Sequence, residues 1–283
     1  MNSADPGEPG PDFERAVQWL RQSRRVAVFS GAGISAESGI PTFRDTDGLW
    51  ERFPPAEYAY WPGLLRKMLF RPGRLAEFLH AVLEPIAVAR PNAAHHAIAR
   101  LEKHTDTTVI TQNVDGLHQE AGSLRVREVH GSFYKIVSLR GRFLRRIGKE
   151  DLTRVVERLG RARRGLFKRF RLLRAVRPLV GVGLVSVRRP SLVLFGDALA
   201  EPDWTWAQQD AESCDLMLVV GTSGVVWPAG LLPPRVLGRG GRVVTIDPHD
   251  QGAGQLWLCG PAGEVLPRLV DAAFGDSTAE RRT

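Results

Sequence analysis

Val26-Ala-Val-Phe29, running into Ser30-Gly-Ala-Gly33-Ile-Ser-Ala-Glu-Ser-Gly39, decides how this chain is read. A short continuous apolar run is the pattern of a strand buried on both faces. The glycine-rich stretch after it turns the chain into the start of a helix. Strand, glycine turn and helix together open a βαβ nucleotide-binding unit. The glycines let the backbone approach a pyrophosphate, and the helix N-terminus supplies N–H donors. The same local pattern also serves tight packing.

The rest of the chain repeats this grammar. Thr108-Val-Ile-Thr111, Leu216-Met-Leu-Val-Val220 and Arg242-Val-Val-Thr-Ile246 read as buried strands, and Leu192-Val-Leu-Phe195 as a further one. Helical spacing appears over 13–24, 74–89, 93–103 (after the Pro91-Asn92 break) and 262–274. The fold class is therefore α/β: a Rossmann-like, doubly wound parallel sheet with a small inserted second domain. The expected division is a tail over 1–12, the sheet domain over 13–133 and 191–275 with a helical insertion at about 50–90, a basic small domain over 134–190, and a tail over 276–283.

The 283 residues make one or two domains. A composition 43% hydrophobic and 25% charged excludes an intrinsically disordered chain. No apolar run approaches the roughly 18–20 residues that span a bilayer, so no membrane partner is expected. Cys214 and Cys259 cannot build a disulfide framework, and no Cys-x-x-Cys is present. The N-terminus has neither the basic nor the apolar region of a secretory signal, which points to the cytoplasm. Net charge is +8, but it is uneven: Tyr134 to Pro190 holds 18 Lys and Arg against three Asp and Glu, or +15. The remainder carries −7, so the basicity belongs to one segment.

Polar residues gather where open α/β sheets bind ligands, at the C-terminal ends of the strands. Phe43 and Arg44 place a ring and a guanidinium just after the glycine turn, suited to an apolar cofactor face and to phosphate oxygens. Gln112, Asn113 and Asp115 put two amides and a carboxylate at one strand end, able to grip a carboxamide and ribose; an ordinary Asx turn has the same composition. His130 can serve as a base near neutral pH, although a lone histidine is more often structural.

Together these segments resemble the sirtuin family of NAD-dependent protein deacylases. The match runs through Gly31-Ala-Gly-Ile-Ser-Ala-Glu-Ser-Gly-Ile-Pro-Thr-Phe-Arg44, Asp47-Gly-Leu-Trp50, Thr111-Gln-Asn-Val-Asp-Gly-Leu-His118, His130-Gly131, Phe195-Gly-Asp197 and Gly221-Thr-Ser223. It covers roughly residues 13–136 and 190–274. Thr42 and the Gly-Leu-Trp motif are similar to the branch holding bacterial and mitochondrial deacylases. The resemblance implies an NAD pocket lined by Gly31, Ala32, Gly33, Thr42, Phe43, Arg44 and Trp50. Gln112, Asn113 and Asp115 would face the nicotinamide ribose and carboxamide. His130 would be the general base, with Asn113 and Asp115 beside it in catalysis. Gly221, Thr222 and Ser223 would meet phosphate and ribose, Asp247 the adenosine ribose, and Ala262 the adenine. The substrate peptide would add as a strand between Phe195-Gly196-Asp197 and Gly224-Val-Val226. The products implied are nicotinamide, free lysine and O-acyl-ADP-ribose. Rival activities are ADP-ribosyl transfer to protein, and a catalytically weak NAD-binding module docked through the basic insert.

Two departures stand out. Where acidic-acyl-selective members of this branch carry Tyr-x-x-Arg, this chain has Leu79 and Val82, which donate no hydrogen bond. A neutral acyl group is therefore expected, unless Arg66 or Arg74 supplies a cation. The family also carries two Cys-x-x-Cys pairs holding zinc. Here the first pair falls on Ser138 and Gly141 and the second near Gly181 and Leu184, so no metal is expected. In their place lie an amphipathic stretch at 151–159, with Leu152, Val155, Val156 and Leu159 on one face, and an apolar and arginine-rich stretch at 161–177. Three readings fit: a degenerate module with a solvated arginine face, a docking surface for nucleic acid or an acidic protein, or a reading-frame disturbance. The first and third together outweigh the second.

Overall fold

The computed structural model describes residues 10–42, 49–163, 167–182 and 187–275, without the side chains of Leu49, Trp50 and Val182. The strands are β1 (Arg25–Ser30), β2 (Asp106–Thr111), β3 (Val126–Glu128), β4 (Lys135–Ser138), β5 (Phe143–Arg146), β6 (Gly181–Val182), β7 (Val187–Pro190), β8 (Leu216–Val220), β9 (Arg242–Ile246) and β10 (Leu256–Leu258). The helices are α1 (Pro11–Gln22), α2 (Leu49–Arg52), α3 (Pro55–Tyr58), α4 (Trp61–Phe70), α5 (Pro72–Val88), α6 (Ala93–Leu101), α7 (Leu117–Glu120), α8 (Lys149–Ala162), α9 (Lys168–Val176), α10 (Asp203–Ser213), α11 (Leu232–Gly238) and α12 (Ala262–Phe274).

The large sheet is parallel throughout, in the order β10-β9-β8-β1-β2-β3. Its strands alternate between two cores, as a period of two requires. Val26 and Val28 of β1 face α1, α6 and α12 through Leu20, Ile98 and Leu266. Ala27 and Phe29 face α10 and α11 through Ala207, Leu232 and Val236. Burial on both faces explains the apolar runs of β1 and β8; β2 is buried as well, with Val109 and Ile110 set between buried threonines. From β1 the chain winds outward to β2 and β3, then returns to β8 on the other side of β1. The crevice at that reversal lies between the ends of β1 and β8.

The second sheet is antiparallel, in the order β5-β4-β7-β6. It shares a core with α5, α8 and α9, including Phe78, Leu83, Ile136, Leu152, Leu159 and Leu172. The helical insertion and the basic segment are thus packed on each other. Lys135 of β4 reaches Asp203 of α10 at 2.8 Å and so ties the two sheets together.

Some element boundaries differ from the sequence-based expectation. Helix α1 begins at Pro11, inside the expected tail, because proline in a first helical turn gives up an N–H that has no partner there anyway. Residues 192–195 form no strand. Their amides bond singly to scattered acceptors: Val193 N–H to the His130 carbonyl, Leu194 N–H to Asp197 Oδ2, and Phe195 N–H to the Ala59 carbonyl. With no continuous ladder, an apolar run stays a connecting segment.

Candidate functional site

The ends of β1 and β8 meet backbone to backbone. A Cβ on Gly33 would stand 2.7 Å from Gly221 Cα, and one on Gly31 would stand 2.6 Å from Thr222 Cβ, so neither position admits a side chain. Gly31 N–H donates to the Val220 carbonyl and Gly33 N–H to the Gly221 carbonyl, at 3.0 and 2.8 Å. Close packing is therefore one reason for these glycines. Both amides are engaged, and the Ala32 amide between them has no backbone acceptor among the described residues.

The segment after β2 is held against this turn. Asn113 Nδ2 donates to the Gly31 carbonyl at 3.0 Å and to Ser35 Oγ at 3.1 Å. The Ser35 hydroxyl donates to Asp115 Oδ2 at 2.8 Å, and Leu117 N–H donates to Asp115 Oδ1 at 2.9 Å. Asp115 is buried, and the lost hydration raises its pKa against the pull of those two donors. Gln112 Nε2 donates to Thr222 Oγ1 at 2.8 Å, bridging the β2 and β8 ends.

His130 follows β3. Its Nδ1 lies 3.1 Å from the Gln112 carbonyl. A carbonyl only accepts, so Nδ1 carries the proton and Nε2 presents a lone pair. Burial lowers the His130 pKa, more than the hydrogen bond to Gln112 raises it. A neutral imidazole held in one tautomer can take a proton from a hydroxyl.

The structure thus brings Gly31, Gly33, Gln112, Asn113, Asp115, His130, Gly221 and Thr222 into one bonded cluster. Asp247 stands one residue beyond β9, with Oδ1 accepting the His249 N–H at 2.9 Å. Ala262 is buried at the start of α12, whose Gly263 N–H donates to Glu37 Oε2 of the glycine-turn helix. Ser223 follows Thr222 without a bonded partner of its own in the cluster. Thr42 ends a described stretch. Phe43 and Arg44 lie outside the described residues, as does the Trp50 side chain.

On the substrate side, the Phe195 ring packs 6.0 Å from that of Tyr60, and Gly196 takes φ +87°. Gly224 takes φ +68°, and Val226 is exposed. Leu79 and Val82 are half-buried on α5, in the apolar core that also takes in Ile40 and Val114 beside the site. Of the two alternative cations, Arg74 is engaged with Glu77 at 2.9 Å, and Arg66 is exposed.

The Sir2 family model matches residues 31–228. The chain belongs to the Sir2 family. This Sir2 chain is 39% identical over 266 residues to an NAD-dependent protein deacylase of Desulfosudis oleivorans, covering 92% of this chain and 94% of that protein. It is 40% identical over 256 residues to one of Pyrococcus furiosus, covering 89% and 94%. It is similar to a Sir2 homologue solved with NAD (TM-score 0.72, 31% identity, 92% and 93% coverage). It is also similar to a Sir2 protein solved with a myristoylated histone peptide (TM-score 0.66, 30% identity, 93% and 96% coverage). This Sir2 chain is an NAD-dependent protein-lysine deacylase.

The donor set suits NAD: amides, hydroxyls and carboxylates converge at the ends of β1, β2, β8 and β9, around glycines that leave no room for a side chain. Zinc is different. Ser138 and Gly141 close a turn between β4 and β5, where Gly141 N–H donates to the Ser138 carbonyl and Arg142 N–H to Ser138 Oγ. A neutral hydroxyl and a glycine are not zinc ligands. Gly181 lies in β6 and Leu184 outside the described residues. Among the described residues, no three of His, Cys, Asp or Glu gather to hold a metal ion.

Sequence reasoning missed Asn92, Ser35 and Ser30. Asn92 caps α6 and also donates from Nδ2 to the Ile34 carbonyl and Ser38 Oγ, so it braces the glycine turn. A hydroxyl closing an otherwise apolar strand, as at Ser30, was the available signal.

Proposed function

We propose that this deacylase prefers neutral acyl groups, uses His130 as its general base, and folds without zinc. NAD would supply, when bound, the ribosyl carbon that bonds to the acyl oxygen as nicotinamide leaves, and the ribose hydroxyl that ends up carrying the acyl group. The observation that carries the catalytic assignment is the His130–Gln112 hydrogen bond, which leaves Nε2 as the basic nitrogen. His130 takes the proton of a ribose hydroxyl on that atom. Asn113 and Asp115, fixed through Gly31, Ser35 and Leu117, orient the nicotinamide ribose and carboxamide. Thr222, Ser223 and Asp247 take ribose and phosphate oxygens, and Ala262 lies by the adenine. The resemblance assigns Thr42 to the same NAD pocket, together with Phe43, Arg44 and the Trp50 side chain, which lie outside the described residues. The peptide lies between Phe195-Gly196 and Gly224-Val226 and adds as a strand.

A pH prediction follows from the imidazole. Protonated His130 cannot accept a proton, so kcat/KM falls as pH drops through its pKa. Burial disfavours the imidazolium, which places that pKa below the ordinary 6.5. A pH–rate profile with acetyl-lysine peptide therefore has an acid limb centred below pH 6.5. A midpoint above 6.5 contradicts the assignment.

The acyl preference rests on Leu79 and Val82. A succinyl carboxylate beside them would be desolvated with no donor from either position, while the Arg74 guanidinium is engaged by Glu77 and Arg66 is exposed to water. Succinyl-lysine peptide is expected to turn over at least about tenfold more slowly than acetyl-lysine peptide, the cost of one missing charge-assisted bond. Equal or faster succinyl turnover defeats this reading. The free thiols of Cys214 and Cys259 accord with a reducing, cytoplasmic setting. Among the described residues, no helix is long and apolar enough to cross a membrane.

A further inference from the structure

Beneath the cluster lie the buried polar side chains of Ser30, Thr111 and His118. Ser30 and Thr111 are register partners at the ends of β1 and β2. The Ser30 hydroxyl donates to Thr111 Oγ1 at 2.9 Å. With its one proton spent, Ser30 can only accept from His118, whose Nε2 stands 2.9 Å away. Thr111 Oγ1 also accepts the Asn113 backbone N–H at 3.0 Å. The donors therefore run in a fixed order, from His118 to Ser30 to Thr111, with Asn113 closing the chain from the other side.

We infer that His118 is a positioning residue: with its proton on Nε2, it sets the Ser30 hydroxyl and, through Thr111, the backbone of Asn113. This rests on the role proposed for Asn113 at the nicotinamide end of the site. The other ring nitrogen, Nδ1, is buried without a partner, so a second proton there would find no acceptor. Burial accordingly holds the His118 pKa well below the usual histidine value. The second imidazole, His95, packs 4.9 Å from His118 and is also fully buried. Its Nδ1 lies 2.9 Å from Oδ1 of Asn92, the residue that braces the glycine turn through Ile34 and Ser38. The turns after β1 and β2, which make the two walls of the site, thus rest on one imidazole pair. An apolar residue of similar length would fill the space of His118, but it would leave Ser30 without its donor and free to choose another rotamer.

The test compares His118→Met, which fills the volume, with His118→Gln, whose amide can donate to Ser30. The readouts are kcat and KM for nicotinamide exchange with acetyl-lysine peptide, the thermal midpoint, and histidine 15N shifts of the wild type. Expected are an about tenfold lower kcat for His118→Met, the scale of one buried hydrogen bond, with peptide KM unchanged, and recovery to within about threefold in His118→Gln. The wild-type ring should be neutral with the proton on Nε2. Equal kcat for the two variants at a temperature where both are folded, or a proton on Nδ1, overturns the inference. Asn113→Ala, run alongside, separates the two levels. If it keeps full exchange, the site reading fails; if it loses exchange while His118→Met does not, only the His118 inference fails.

Discussion

His130→Ala is expected to lower turnover of acetyl-lysine peptide by about a hundredfold or more, with the thermal midpoint nearly unchanged. General-base catalysis contributes about 10²–10⁴ to a rate, and nothing nearby replaces the lost nitrogen. Asp115 is buried, its two oxygens are taken by Ser35 and Leu117, and its burial favours the protonated form. Glu128, two residues upstream, is buried as well, and its Oε2 faces Arg146 at 3.7 Å. The fold loses little: among the described residues the His130 ring bonds only to the Gln112 carbonyl, at the end of a strand whose ladder is otherwise intact, and the bond from Val193 N–H to the His130 carbonyl does not depend on the side chain. NAD affinity should persist, because Asn113, Gln112 and Thr222 keep their contacts. Side-by-side initial rates, with liquid-chromatographic detection of O-acyl-ADP-ribose, check this. Wild-type and variant rates within a factor of about three would remove His130 from the chemistry.

How far the sequence alone reached depends on the range of the forces involved. Strands β1, β2, β8 and β9 of the large sheet were legible because burial on both faces leaves a short apolar run in the chain, as in Val26–Phe29 and Leu216–Val220, whereas the three-residue strands β3 and β10 at the two edges are too short to show one. Their C-terminal ends were legible as site positions because topology puts ligands there. Residues 192–195 show the limit: apolarity marks burial, but a strand also needs a partner in register, and that partner is set by tertiary structure. Tight packing was one of the two roles the sequence allowed for Gly31 and Gly33, but the partners were hidden. Their contacts are with Gly221 and Thr222, nearly two hundred residues away in sequence. Asn92 was visible as a helix break but not as a brace for the turn, since its partners Ile34 and Ser38 come close only in the fold.

The second large effect is expected in the segment that bears the excess charge. Leu152→Ala should cost about 2–5 kcal/mol of stability, and addition of a strong chelator to the wild type should cost none. In α8, Leu152, Val155, Val156, Leu159 and Ala162 are all buried, while Arg158 and Arg161 face solvent. That face meets Phe78 and Leu83 of α5 and Leu172 and Val176 of α9 in the core beneath Ile136 of β4. A helical period kept over 14 residues, with a matching apolar surface opposite, is hard to obtain from a shifted reading frame. The arginines are a consequence of the same period: one stripe is needed for the core, and the remainder is left to water. An antiparallel ribbon as small as β4–β7 cannot stand alone, so something must cover it. Here the turn at Ser138 and Gly141 has no thiolate to offer a metal, and Ile136 of β4 is buried in the core formed by α5, α8 and α9. Thermal unfolding of Leu152→Ala, of wild type with chelator, and metal analysis of the purified chain decide between the two supports. A midpoint that collapses with chelator and barely moves with Leu152→Ala would mean that a metal, and not this leucine core, holds the second sheet in place.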